Sequence, residues 1–322
     1  MSSLKTVIRG VKPQPHFVLL YGVDGVGKST FGADAPSPIF LGPEDGLGML
    51  DVPRFPTPKS WADIKATVND LLMEDHEFET LVLDSVDWIE PMIWAFLCKE
   101  EGVKSIEQVG GGFGKGYVLA REQTLEFVKT LQRLRKKMNV IALAHALIKT
   151  TEDPYAGERY DRYLVKMNDQ AAGIWREAVD CVLFANFKTV FSKAKGAAKA
   201  RAEGDGRRVM FTERRPAFDA KNRFDLPFEM ELSWTEFAER SAAALPSSTA
   251  DTEDKLATLF KGIEAQAVAY LIELEWLEDG QPLSDLRAVN RKKILSRPEG
   301  FLAAVVKHAE KATEPTTPDT EN

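Results

Sequence analysis

Cysteine is nearly missing from this chain: Cys98 and Cys181 are the only two among 322 residues. Both sit in apolar-rich segments without a C-x-x-C spacing. That excludes a disulfide-stapled secreted scaffold and a thiolate metal site, and it fits two buried thiols in a reducing compartment. Long apolar runs are missing as well. Nowhere do 18 apolar residues stand together, and the first ten residues mix Lys5 and Arg9 with too short an apolar stretch for a secretory signal. No membrane element and a cytosolic location are therefore expected. Nor is there an excess of positive charge: 42 Lys and Arg against 49 Asp and Glu leave a formal charge of -7, so any nucleic-acid contact has to come from a local patch. Internal repeats and heptad runs are absent too.

What remains is ordinary for a globular enzyme: 44% hydrophobic and 28% charged residues, enough for one large domain and a small one. Residues 17–21, 39–41, 81–83 and 140–144 are short apolar runs among longer stretches of helical periodicity, the pattern of a parallel sheet covered by helices. Ser60 opens a helix, because Asp63 completes a capping box and Ile64, Val68, Leu71 and Leu72 fall on one face. A long helix is expected from about 118 to 137, flanked by two long loops at 102–116 and 149–168. From 182 to 232 the pattern changes to antiparallel strands that extend the sheet, interrupted by a basic stretch at 193–208. Residues 1–244 make the core, and 245–254, rich in Ala, Ser, Thr and Pro, read as a linker. Leu256, Leu259, Phe260 and Ile263 begin a small helical domain over 255–312, and 313–322 read as a disordered acidic tail.

The chemistry-bearing feature is Gly22-Val23-Asp24-Gly25-Val26-Gly27-Lys28-Ser29, followed by Thr30. Its glycines let successive N–H groups turn inward around phosphate oxygens at the positive end of a helix. Lys28 supplies charge to the β- and γ-phosphates, Ser29 binds Mg²⁺ through its hydroxyl, and Thr30 donates to the α-phosphate. Such a pattern arises by chance in a chain of this size only about once in a hundred. Asp84, closing the run 81–83, is either the second magnesium anchor or the cap of the helix that follows. Ser85 comes next, where AAA+ proteins carry a catalytic Glu. The general base is therefore sought in Glu44, beyond the run 39–41, with Asp45 as the fallback and a solvated loop carboxylate as the plain alternative.

This order of motifs resembles the RecA-like ATPase core over residues 17–234. Within it, it looks like the bacteriophage ATPases grouped with single-strand annealing and recombination proteins of the Sak type, AAA-type phage nucleotide-binding proteins. The resemblance implies a RecA-like, doubly wound, mainly parallel sheet with an antiparallel extension, and ATP and Mg²⁺ as cofactors. In that family a strand followed by Glu carries the water-activating base, here Phe40-Leu41-Gly42-Pro43-Glu44, and the Asp-Ser pair matches Asp84-Ser85. A polar residue ending the next strand senses the γ-phosphate. That position is His145 here and Gln in RecA, so the match is one of position. Ala220-Lys221-Asn222-Arg223 resembles the Lys-x-Arg signature whose two cations reach the nucleotide of a neighbouring subunit, which implies a homo-oligomer; a solvated basic strand edge is the alternative.

In RecA-like recombinases the loops after the second nucleotide strand and after the sensor strand approach DNA. Here those are 110–116 and 149–168, the second interleaving Arg159, Tyr160, Arg162, Tyr163 and Lys166 with Glu158 and Asp161. Cations hold phosphates and rings stack bases, so single-stranded DNA is the expected partner, against an ordinary exposed loop. The stretch 193–208 is a second candidate, and the C-terminal helices are expected to meet a recombination or replication partner. The expectation is an ATP-dependent single-stranded DNA-binding protein of phage recombination or annealing, acting in the host cytoplasm. A DnaB-like helicase or loader, and a nucleotide-gated interaction module with little hydrolysis, are the competing readings.

Overall fold

The computed structural model describes residues 13–44, 48, 50–152, 157–192, 201–244 and 249–313. Strand β1 (Phe17–Gly22) is buried along its whole length. Phe17, Leu19 and Tyr21 join one apolar layer, Val18 and Leu20 the other, the alternation of a strand covered on both faces. After it come α1 (Lys28–Ala33), β2 (Pro38–Leu41), α2 (Trp61–Met73), β3 (Thr80–Asp84), α3 (Val86–Glu101), α4 (Lys115–Leu134), β4 (Asn139–Glu152) and β5 (Arg159–Val165). The chain continues through α5 (Asp169–Ala178), β6 (Cys181–Phe187), β7 (Val190–Ser192), β8 (Arg201–Glu203), β9 (Arg208–Phe211), β10 (Glu229–Glu231) and α6 (Trp234–Ala244).

The main sheet has the order β10-β9-β6-β1-β4-β3-β2. From β6 to β2 the strands are parallel, and β9 and β10 add antiparallel neighbours beyond β6. This is the RecA-like α/β architecture, a mostly parallel sheet with helices on both faces. One face packs against α2, α3, α4 and α5 through Trp61, Ile89, Phe127 and Trp175, the other against α1 and α6 through Phe31 and Phe237. Parallel strands place their C-terminal ends together, which is where ligands of open α/β sheets collect. The capping box of α2 forms: Ser60 Oγ accepts from Asp63 N at 3.2 Å and Ser60 N donates to Asp63 Oδ2 at 2.9 Å.

Two segments expected as long loops are structured instead. β4 does not stop at His145. It runs on to Glu152 and returns as β5, pairing Lys149 with Arg162 and Thr150 with Asp161. Thr150 Oγ1 donates to Asp161 Oδ1 at 2.6 Å and Arg159 meets Glu152 at 3.3 Å; such cross-strand partners stabilise a hairpin and are invisible in either strand alone. In 102–116 a 3₁₀ helix, Ile106–Gly111, buries Ile106 and Val109, and α4 starts at Lys115, ahead of the expected 118. In the expected antiparallel extension, β7 and β8 form a ladder of their own, so β9 and β10 alone extend the main sheet among the described residues. Cys181 is buried and Cys98 half-buried, both unpaired.

Residues from Pro13 to Leu245 form one compact unit, and those from Pro246 on belong to a second. In the second, α7 (Thr249–Leu259), α8 (Glu264–Glu273), α9 (Ala288–Ser296) and α10 (Pro298–Thr313) surround Leu256, Phe260, Leu271 and Val305. α7 begins inside the segment expected as a linker. Asp45, residues 153–156 and 193–200, and residues 314–322 of the expected tail lie outside the described residues. No helix among the described residues is long and apolar enough to cross a membrane.

Candidate functional site

The turn from β1 into α1 depends on Gly27, which takes φ 105° at the N-cap of α1, a conformation that side chains rarely adopt. No side chain caps that first turn, which leaves its N–H groups to suit phosphate oxygens. Val26 turns its side chain into the core and can offer the loop only backbone. Lys28 is buried, and its Nζ donates to the carbonyl oxygens of Gly22 at 3.3 Å and Val23 at 3.1 Å. Burial holds its pKa below the ordinary lysine value, against the pull of Asp24, Asp84, Asp87 and Glu44.

Asp84 stands at the end of β3, where the chain leaving β2 crosses it. A Cβ at Gly42 would lie 1.6 Å from the Asp84 carbonyl oxygen, so the crossing needs glycine. It carries Glu44 into the site. Glu44 Oε2 accepts from Ser85 Oγ at 3.0 Å, and Oε1 lies 3.6 Å from His145 Nε2. Ser29 Oγ donates to Asp84 Oδ2 at 2.7 Å. Two oxygens this close fit neighbouring corners of a magnesium octahedron, whose edge is about 2.9 Å. Among the described residues no group of three acidic, His or Cys side chains could hold a metal by itself. Ser29 and Asp84 would therefore hold an ion only together with other oxygens, such as phosphate and water, which would suit Mg²⁺. Burial raises the Asp84 pKa, with the Ser29 hydrogen bond opposing it; a bound cation favours its ionised form.

Residues 14–224 match a family described as AAA domain. The chain belongs to that family. A stretch of 135 residues is also 28% identical to the SPbeta prophage-derived uncharacterized protein YorG of Bacillus subtilis strain 168, covering 40% of this chain and 40% of that protein. The chain thus spans about 40% of the length of the curated relative it matches. Neither similarity singles out the Sak-type group. In this AAA domain the residue after Asp84 is Ser85, and the carboxylate that meets it comes across from Glu44.

The AAA domain has one site residue that the sequence reading missed. Asp87, in the first turn of α3, accepts from the backbone N–H of His145 at 3.0 Å and lies 2.9 Å from its ring Nδ1. The hydrogen bond to Asp87 raises the His145 pKa against its burial. Burial pushes Asp87 up, but its hydrogen bonds with His145 and the nearby charge prevail and its pKa is lowered. With Nδ1 held, Nε2 faces Glu44 and, at 3.8 Å, Asp24 Oδ1. The available signal was spacing: Asp87 follows Asp84 by three residues, within one turn of the strand end.

Lys28, Ser29, Asp24, Glu44, Asp84 and His145 thus come together, and a cavity of about 320 Å³ flanks Glu44 and Asp84 beside Arg54 and Thr57. Lys221 and Arg223 do not join them. Lys221 forms an antiparallel bridge with Val182, near the start of β6 and at the opposite end of the sheet from the cradle. Its Nζ donates to the carbonyls of Arg176, Glu177 and Val179, at 2.8, 3.1 and 2.6 Å. The expectation of a free phosphate-seeking ammonium is corrected by this helix end: the last carbonyls of α5 lack intrahelical donors and take the cation. Among the described residues Arg223 pairs only with Asp180, at 3.6 Å, and is half exposed.

Proposed function

We propose that this AAA domain is a magnesium-dependent ATPase that binds single-stranded DNA in phage recombination or annealing. The observation that carries the hydrolytic part is the convergence of Ser29–Asp84, Glu44 and Asp87-held His145 on one side of Lys28. The cradle of residues 22–30 binds the phosphates. Ser29 and Asp84 would hold Mg²⁺, which would supply positive charge beside the phosphates. Glu44 orients a water and takes its proton as the water oxygen bonds the γ-phosphorus. The bond from that phosphorus to the bridging oxygen breaks, and ADP leaves with the electron pair. Lys28 and the His145 imidazolium stabilise the charge that develops on the transferring oxygens.

DNA binding is supported by a cleft of about 610 Å³ between the β4–β5 hairpin, α5 and residues 214–221. Lys149 and Arg162 face each other across the hairpin, and Lys149 also meets Asp169 at 2.7 Å, so the cleft gathers cations together with carboxylates. Arg162, Arg176 and Arg214 converge on Asp219 at 3.1, 3.1 and 3.5 Å. Arg162 is 6% exposed, and its buried Nε has no partner among the described residues. The prophage origin of the similar Bacillus subtilis protein agrees with a phage setting. Arg223, freer than Lys221, is the cation offered to a neighbouring subunit, and with it comes homo-oligomerisation.

The test is ATP turnover with and without single-stranded oligonucleotide and with Mg²⁺ chelated, alongside fluorescence anisotropy of a labelled strand. Turnover that needs Mg²⁺ and rises with DNA is expected. Absence of turnover under every condition sinks the enzyme reading. Absence of anisotropy change at low salt with ATP and Mg²⁺ sinks the DNA reading.

A further inference from the structure

One end of the cradle is occupied by the groups that meet a γ-phosphate. Asp84 ends β3, His145 lies on β4, and Glu44 follows β2, all on the same side of β1 in the sheet order. On the other side of β1 come β6 and then β9. Arg208 opens β9, paired with Phe187 at the end of β6. Its side chain reaches back to the cradle. A Cβ at Gly27 would stand 3.1 Å from Arg208 Nη1, 3.6 Å from Cδ and 3.8 Å from Cζ, so the arm and guanidinium lie along the last glycine of the loop. Gly25 has open space where Gly27 has this arginine.

The neighbouring cations are spent. Arg207 is tied to Asp205 at 2.6 Å, and Lys188 to Glu229. Among the described residues no carboxylate or carbonyl pairs with the Arg208 guanidinium. Lys28 has the carboxylates Asp24, Asp84, Asp87 and Glu44 around it; the guanidinium beside Gly27 has no such partner among the described residues, which leaves its fork of donors for the oxygens of a bound anion.

We propose that Arg208 is a nucleotide-binding residue supplied by the same subunit, gripping the α-phosphate and nucleoside end of ATP. The assignment rests on the ATPase reading and adds to it a role for the antiparallel extension. The γ end is already furnished from the β3–β4 side, so a cation arriving across β6 meets the nucleotide from the opposite end. A guanidinium suits that place because its planar fork binds phosphate oxygens and its face stacks on a base. These contacts are the same in ground state and transition state. Arg208 therefore sets nucleotide affinity and leaves the chemical step alone.

The experiment compares wild type, Arg208→Ala and Arg208→Lys by calorimetric binding of Mg-ATP and Mg-ADP and by steady-state turnover. Arg208→Ala is expected to weaken ATP and ADP equally, by about 10- to 100-fold as for a charge-assisted hydrogen bond, and to raise KM with kcat within about twofold. Arg208→Lys recovers part of the affinity. Unchanged affinity for both nucleotides in Arg208→Ala overturns the proposal, as does a fall in kcat with ADP affinity intact, which would place the arginine at the γ end. A wild type that binds neither nucleotide overturns the ATPase reading itself and is distinguished by the first titration.

Discussion

Asp87 grips His145 at two points, the backbone N–H at 3.0 Å and the ring Nδ1 at 2.9 Å. The ring cannot turn away without losing the Asp87 contact, and the imidazolium is favoured above the ordinary histidine range. The charged pair stabilises the fold below pH 6.5, and this is lost as pH rises through the raised His145 pKa. Asp87, lowered by the same pairing, contributes above its ordinary value of 3.8 and loses this as pH falls through its folded pKa. Asp87→Asn should cut kcat about a hundredfold, the lower end of the range for positioned acid–base groups, and move the alkaline limb of the kcat profile to lower pH. An unshifted limb between pH 6 and 9 would separate His145 from the chemistry.

Lys28 is buried near the carbonyls of its own loop, and burial disfavours its charge. Lys28→Met should abolish turnover, a loss of about a hundredfold or more as for other electrostatic groups aimed at developing charge. The nucleotide-free protein should melt no lower than wild type. Thermal melts with and without Mg-ATP check this: the variant keeps its melting temperature and loses the upward shift that ligand produces.

Gly42→Ala puts a methyl 1.6 Å from the Asp84 carbonyl oxygen, where neither backbone can yield easily. Overpacking of this kind costs about 1–3 kcal/mol, and the relief moves Glu44 relative to Ser85. Turnover should fall more than ADP affinity, since in the proposed mechanism Glu44 meets the attacking water while residues 22–30 hold the diphosphate. Equal losses in both would mean that the cradle itself has shifted.

Glu90 lies on α3, and both its carboxylate oxygens accept from the backbone N–H of Asn168, at 3.1 and 3.0 Å, at the start of α5. Burial raises its pKa to about 7, the Asn168 hydrogen bond opposing and Asp87 reinforcing the shift. A raised carboxyl pKa means that the native state holds its proton more tightly than the unfolded chain. Stability from this group therefore falls as pH rises from about 4.5 to about 7, by at most about 3 kcal/mol. Glu90→Gln should flatten that slope in urea midpoints taken at pH 5 and pH 8.

Lys221→Ala and Arg223→Ala should part company. Removing Lys221 strips three carbonyls at the end of α5 of their donor and lowers stability by roughly 1–2 kcal/mol. Removing Arg223 leaves the melting temperature nearly unchanged and suppresses turnover most at protein concentrations where subunits assemble. A concentration series of both variants checks this; turnover in Arg223→Ala equal to wild type throughout would remove it from any shared site.

Much of this molecule is written locally. The spacing of Gly22, Gly27, Lys28 and Ser29 specifies a phosphate cradle because a turn and the helix behind it involve only adjacent residues. Apolar runs announced β1, β2, β3 and the first half of β4, since strands buried on both faces need little but continuous apolar sequence. Ser60 and Asp63 announced the start of α2 for the same local reason. Asp84 could be placed at a strand end, Glu44 just beyond one and His145 where the pairing of β4 with β1 stops, and parallel strands gather such positions whatever their order.

Tertiary structure alone decided the rest. That Asp87 would orient His145, 58 residues away, depends on α3 starting beside the end of β4. That Lys221 would close α5, and not wait for a phosphate, depends on a bridge to β6. Residues 149–168 read as a loop because alternating charges look solvated until the partner strand supplies their counterions. Arg208 reaches Gly27 only because β9 lies against β6. Local chemistry selects turns, caps and buried strands; the pairing of distant polar groups is set by which strands become neighbours, and a single chain of letters does not state that order.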